Sequence, residues 1–174
     1  MINVRQLRQL VVQPVLRRLE QGGWRLGTKA AEELLLGTAV YESTISGETY
    51  LRQVPSGPAL GIYQMEPATF SWLQGVLLQR STPPFPDVRR VVEDLKVKHA
   101  GHAALAGPAE LVYNLALATA YARLRYWVVP DALPAYDDAM ALAEYWGAHY
   151  QTRSIESSMR HWAKMYNQHV RPSR

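Results

Sequence analysis

Cysteine is absent from this chain of 174 residues, which excludes disulfides and thiolate metal sites and leaves a fold that must stand on packing alone. No apolar run approaches the roughly 20 residues needed to cross a bilayer as a helix, so no transmembrane segment is expected. Met1 to Leu19 has no uninterrupted apolar stretch and no small-residue cleavage site, because Arg5, Arg8, Arg17 and Arg18 interleave with the apolar positions. These absences predict synthesis in a reducing cytoplasm without a conventional signal peptide. Repeats and low-complexity tracts are missing too. Phenylalanine is scarce, with two Phe against five Trp and ten Tyr. Tyr and Trp suit a sugar-binding groove, although core use is the commoner explanation for any one of them.

What is present has the balance of a folded protein, 48% hydrophobic and 20% charged, and the length suits one domain over residues 1–174. The formal charge of +4 would assist approach to an anionic surface: bacterial envelope, acidic polysaccharide or nucleic acid. Positive charge gathers at the two ends, with the N-terminal arginines at one and Arg160, His161, Lys164, His169, Arg171 and Arg174 at the other. Two solvated helix faces are the plainer explanation, ahead of contact with an envelope or nucleic acid. Nucleic-acid binding has only net charge behind it and is not expected.

Apolar periodicity predicts a mostly α fold of seven or so helices. Val4, Leu7, Val11, Val15 and Leu19 mark the first, over residues 3–20, kinked or divided by Pro14 and ended by Gly22 and Gly23. Thr28 is a candidate N-cap for the second, with Glu32 and Glu33 in its first turns, where the helix dipole favours acids. The run Leu34, Leu35, Leu36, Ala39 and Val40 predicts deep burial for this helix, and its pattern breaks at Ser46 and Gly47. A Gly, Pro, Ser and Thr-rich stretch over 47–62 predicts a loop, with a vestigial β-hairpin at 48–62. Further helices are predicted from Pro67 to Leu78, with Phe70, Leu73, Leu77 and Leu78 on one stripe, from Val88 to Val97, and from Pro108 to Trp127. Two more cover about 135–149 and 154–169, the last opened by Ser154 as a candidate N-cap.

Glu42 ends the apolar second helix beside a Gly-rich loop, where a carboxylate can be half buried. Desolvation there raises its pKa, and the helix dipole disfavours an anion at that end. Such an acid, still protonated near neutral pH, can protonate a departing glycosidic oxygen. Taken alone, a Glu at a helix end is more often solvated.

The neighbourhood changes that reading. Leu-Leu-Leu-Gly-Thr-Ala-Val-Tyr-Glu-Ser (34–43), followed by Gly-Ile-Tyr-Gln-Met-Glu-Pro-Ala-Thr (61–69), resembles the active-site signature of the soluble lytic transglycosylases and goose-type lysozymes. In that family an apolar helix ends in Glu-Ser, and Gly-Leu-Met-Gln-x-x-Pro-x-Thr follows. Glu42 and Ser43 match the first block. Gly61, Gln64, Pro67 and Thr69 match the second, with Ile62 and Tyr63 in place of Leu-Met. In physical terms, Gly61 would let the backbone approach a sugar, and the Gln64 amide offers both donor and acceptor. Asn114-Leu-Ala-Leu-Ala-Thr-Ala-Tyr121 resembles a third family segment, and Ala141-Leu-Ala-Glu-Tyr145 a fourth, with Trp146 where Asn is usual. Trp146 could stack on a pyranose ring instead. The resemblance spans 34–146.

The resemblance implies a single lysozyme-like domain with a small loop or hairpin insertion after the catalytic helix. It implies a glycosidase that cuts the β-1,4 bond between N-acetylmuramic acid and N-acetylglucosamine in peptidoglycan, needing no cofactor or metal. The implied site is Glu42 as catalytic acid with Ser43, Gly61, Tyr63, Gln64, Asn114, Tyr121, Tyr145 and Trp146 at the substrate. An inverting or retaining hydrolase needs a second carboxylate, and none stands out. Glu48 and Glu66 are candidates by position, and Asp87, Asp137 and Asp138 are no better placed. The family's single-acid mechanism, a lytic transglycosylase, yields an anhydro sugar instead. His99 and His102 share a helical spacing, but no nearby acid completes a metal site. Small size, the missing signal peptide and a basic C-terminal segment (154–170) suggest a bacteriophage lysis or virion-associated enzyme. Through Met159, Trp162 and Tyr166 that segment could engage the anionic envelope, or it could pack on the core. The rival from another class is a catalytically inactive lysozyme-like structural or glycan-binding protein of a phage particle.

Overall fold

The computed structural model describes residues 1–22, 25–97, 106–151 and 155–173. Gly23, His99, His102, Ser154 and Arg174 lie outside them. Within the described residues the chain is mostly helical, with one small two-stranded antiparallel sheet. No helix there is long and apolar enough to cross a membrane.

The helix that organises the rest is α3 (Lys29–Ser43), buried from Ala31 through Val40. Thr28 starts it as expected, its Oγ accepting from the Ala31 N–H at 3.2 Å. A helix apolar on every side must be surrounded, and α3 packs against α1 (Val4–Leu7), α6 (Leu115–Trp127), α7 (Ala139–His149) and α8 (Glu156–Met165). At Gly37 a Cβ would stand 2.2 Å from the Trp162 ring, so only glycine lets α8 approach so closely. Helices α4 (Pro67–Gln79) and α5 (Phe85–Leu95) pack on α6 from the other side.

Several expectations shift. Between α1 and α2 (Gln13–Leu19), residues Arg8–Val12 form a wider turn, as a helix does where Pro14 cannot donate. The extra residue moves the buried stripe from Leu7 to Val12, Val15, Leu16 and Leu19, leaving Val11 half-buried. It also buries Arg8, which therefore belongs to no solvated face. Glu32 and Glu33 are buried as well, tied to Arg8 rather than placed for the dipole alone. Leu78 is exposed, one helical step off the stripe of Phe70, Leu73 and Leu77. The helix expected from Pro108 to Trp127 is divided: a tight turn over Gly107–Val112 stops, and Asn114 caps α6 by accepting from the Leu117 N–H at 3.0 Å. Asp138 likewise delays α7 to Ala139. The hairpin sits earlier than expected, β1 (Thr44–Ile45) against β2 (Glu48–Thr49), with Ser46 and Gly47 at the positive φ that a two-residue turn requires. Within 48–62 there is only the single bridge Arg52 to Leu60.

Trp162 and Tyr166 are fully buried and stacked at 5.4 Å, so the C-terminal aromatics pack in the core and do not face an envelope. Arg160, His161, Lys164 and Arg171 remain exposed.

Candidate active site

Two irregular segments meet at the end of α3. The helix stops where Thr44 turns extended, and the chain reverses at once, the Tyr50 N–H donating to the Ser43 carbonyl at 2.7 Å. The second segment is pinned by Gly61, whose φ of +72° favours glycine and whose missing Cβ would lie 2.2 Å from the Leu111 carbonyl oxygen. The close approach that requires Gly61 is therefore internal, to the turn before α6, and not to a ligand. Gln64 is also left-handed, at φ 44°. Its backbone N–H and its Nε2 both donate to the Gly61 carbonyl, at 3.0 and 2.7 Å, and its amide oxygen has no partner among the described residues. Pro67 then opens α4, where a missing N–H is harmless.

Between these segments and the ends of α6 and α7 lies a cleft of about 290 Å³. Glu42 lines it with Tyr50 and Arg52 from the first segment, Gln64, Glu66 and Thr69 from the second, and Arg125, Tyr150 and Gln151 opposite. One carboxylate oxygen of Glu42 is fully engaged. Oε1 accepts from the Trp146 indole N–H at 3.0 Å and from Gln151 Nε2 at 2.6 Å. Tyr41 holds the indole by an edge contact at 4.6 Å between ring centres. Oε2 accepts nothing among the described residues, so a proton on this acid belongs on Oε2. Burial pushes the Glu42 carboxyl up to about 7, against the pull of the two donors, which favour the anion. The acid is thus divided between its two protonation states near neutrality.

Of the residues singled out from sequence, Glu42, Gln64, Glu66 and Thr69 line the cleft and Trp146 touches Glu42. Trp146 is fully buried, so it holds the acid and has no face for a sugar. The others serve the walls. Ser43 is buried and its Oγ donates to the Ala39 carbonyl at 2.7 Å. The buried Tyr63 hydroxyl pairs with Thr119 at 3.1 Å, while its carbonyl accepts from the Tyr150 hydroxyl at 2.8 Å, tying α7 to the Gln64 segment. Asn114 caps α6 and donates to the Leu95 carbonyl at 2.8 Å. Tyr121 is stacked on Phe70 at 4.2 Å inside the core. The Tyr145 hydroxyl donates to the Asp131 carbonyl at 3.0 Å, outside the cleft.

Neither second-acid candidate touches Glu42. Glu48 is exposed and accepts from the Tyr50 hydroxyl at 3.0 Å, whereas Glu66 is exposed at the cleft itself. Asp87 pairs with Arg90, and Asp138 is spent as a cap. Gln151, Tyr150, Arg52 and Arg125 line the cleft without any local sequence pattern that marks them. Gln151 follows α7, and only the packing of α7 on α3 brings it to Glu42. Compared with protein-family models, with curated proteins and with solved structures, the chain matches none.

Proposed function

We propose that the cleft binds the glycan strands of bacterial peptidoglycan and cleaves the bond from N-acetylmuramic acid to N-acetylglucosamine, as a lytic transglycosylase on a lysozyme-like fold. The observation that carries this reading is Glu42: an acid with one oxygen pinned and its pKa about 7, standing in an open cleft. The resemblance of 34–43 and 61–69 to the lytic transglycosylase signature gives the substrate class. In the first step Oε2–H gives its proton to the glycosidic oxygen as the bond from C1 to that oxygen breaks, and positive charge develops at C1 and the ring oxygen. In the second, the Glu42 carboxylate takes the proton of the muramic-acid C6 hydroxyl while that oxygen bonds to C1. An anhydro sugar leaves and Glu42 is again protonated. Gln64, with its amide oxygen unsatisfied, offers an acceptor to a sugar hydroxyl or acetamido N–H.

Glu66 favours a second reading, hydrolysis, because it is the other carboxylate in the cleft and could activate water. The biological setting in this proposal is a bacteriophage lysis or virion-associated enzyme, with the exposed basic residues of the C-terminal segment toward the anionic envelope. Digestion of purified peptidoglycan, with the released muropeptides identified by mass, separates the readings. Anhydro-muropeptides are expected. Reducing ends would replace the transglycosylase by a hydrolase, with Glu66→Gln as the next variant. No product from folded protein on several bacterial walls would leave a structural or glycan-binding protein instead.

A further inference from the structure

A second cavity, of about 470 Å³, shares no lining residue with the cleft. Tyr126 stands between the two. Its ring packs at 5.9 Å on Tyr145, which lines the cavity, and at 5.2 Å on Tyr150, which lines the cleft. The cavity walls are largely apolar and aromatic: Tyr126, Trp127, Val129, Leu133 and Tyr145.

Set into these walls is Arg123, 4% exposed. Its Nε donates to the Leu26 carbonyl at 2.6 Å, and neither terminal nitrogen of the guanidinium has a hydrogen bond or ion pair among the described residues. Two carboxylates lie nearby without bonding to it, and the charge of Glu20 favours the guanidinium from a distance. Glu20 accepts from the Gly27 N–H at 3.0 Å, and Asp131, at the cavity rim, pairs with His149 at 3.3 Å. Arg25, exposed on the same rim, adds a second positive charge. A guanidinium is ionised throughout the physiological range, and burying it with no carboxylate hydrogen-bonded to its fork is unfavourable. Its planar fork matches a carboxylate in a bidentate fashion. The cavity is within the size range of small-molecule sites, which combine apolar walls with a few fixed polar groups.

We propose that this cavity binds a small organic carboxylate, its acid group held by Arg123 and its apolar or aromatic body against Tyr126, Trp127 and Leu133. The site is independent of what the cleft does, and its test needs no activity. Phenylacetate and its neutral counterpart phenylacetamide serve as probes, titrated into the full chain while the Trp127 indole and Arg123 Nε–H signals are followed by NMR. Phenylacetate should bind saturably with a Kd of about 1 mM or tighter, and the amide about tenfold or more weaker, since only the acid brings a negative charge and two acceptor oxygens to the buried fork. Arg123→Gln should reduce phenylacetate affinity by about tenfold or more. Should that variant fail to fold, Ala132→Trp fills the cavity from its exposed rim, leaves Arg123 in place, and should abolish binding. Equal affinity for acid and amide would overturn the proposal. So would phenylacetate binding undiminished by Ala132→Trp, or no saturation of the wild type by about 20 mM.

Discussion

At Glu42 the same physical state that suits the chemistry works against the fold. The ordinary carboxyl value is 4.5 and burial raises it to about 7. Because the folded-state pKa is the higher one, the carboxyl contributes full stability below about pH 4.5 and progressively less as pH rises through 7, after which the loss is constant. Glu42→Gln keeps an oxygen for Trp146 and Gln151 yet never ionises. It should therefore be more stable than wild type above pH 7, by up to about 3 kcal/mol, and nearly equal to it at pH 4, as urea unfolding at the two pH values would show. Gln151 acts in the opposite sense, since its Nε2 favours the anion. Gln151→Leu should raise the Glu42 pKa by about one unit, visible as an upward move of the alkaline limb of activity against pH. A merely structural role for Gln151 would lower activity without moving that limb.

The elements show what local sequence could and could not reveal. The α3 helix was legible because its signals agree: Thr28 as cap, an unbroken apolar run, then Ser46 and Gly47 at the turn. Glu42 at its end was legible only through the resemblance of 34–43 and 61–69, as was Gln64, whose place rests on its own backbone turn. The rest of the candidate site depends on contacts distant in sequence. Trp146 and Gln151 meet Glu42 only through the packing of α7 on α3, and Tyr63, Tyr121 and Asn114 turned out to be wall and cap because burial is a tertiary property. Register was the other blind spot: the wide turn at Arg8–Val12 displaces the buried stripe by one residue, which no fixed period anticipates. Gly61 was singled out for a close approach to a sugar, and the approach that requires glycine there is instead to Leu111. Gly61→Ala combines a strained φ with a clash against backbone. It should cost about 2–4 kcal/mol in denaturant unfolding and displace Gln64, lowering activity as well.

On the scale of the whole molecule, the chain ends are joined through one buried charge cluster. Arg8 donates to Glu33 at 2.9 and 3.2 Å, also contacts Glu32, and reaches the Val170 carbonyl at 3.4 Å and Ser173 Oγ at 3.2 Å, while the Tyr166 hydroxyl donates to Glu33 at 3.1 Å. Burial pushes the Glu33 carboxyl up, but the hydrogen bonds and charges of Arg8 and Lys29 outweigh it and hold it below the usual carboxylate range. Its contribution is therefore present at neutral pH and lost as acid protonates it. Arg8→Met removes the main cation and leaves Glu33 to Lys29 and Tyr166, and should destabilise by about 2–3 kcal/mol at pH 7, with a smaller effect in acid, by urea unfolding at both. This cluster fixes α1, α3 and the C-terminal turn around the helix that ends in Glu42. The claim to which that framework leads is that Glu42 is the acid of a peptidoglycan-cleaving cleft. It is tested most directly by the rate of muropeptide release from purified peptidoglycan as a function of pH, for wild type and Glu42→Gln. The wild-type rate should fall about tenfold per unit above about pH 7, and the variant should be slower by at least about a hundredfold at neutral pH and below while still folded. Release by Glu42→Gln at the wild-type rate, or none by folded wild type, would contradict it.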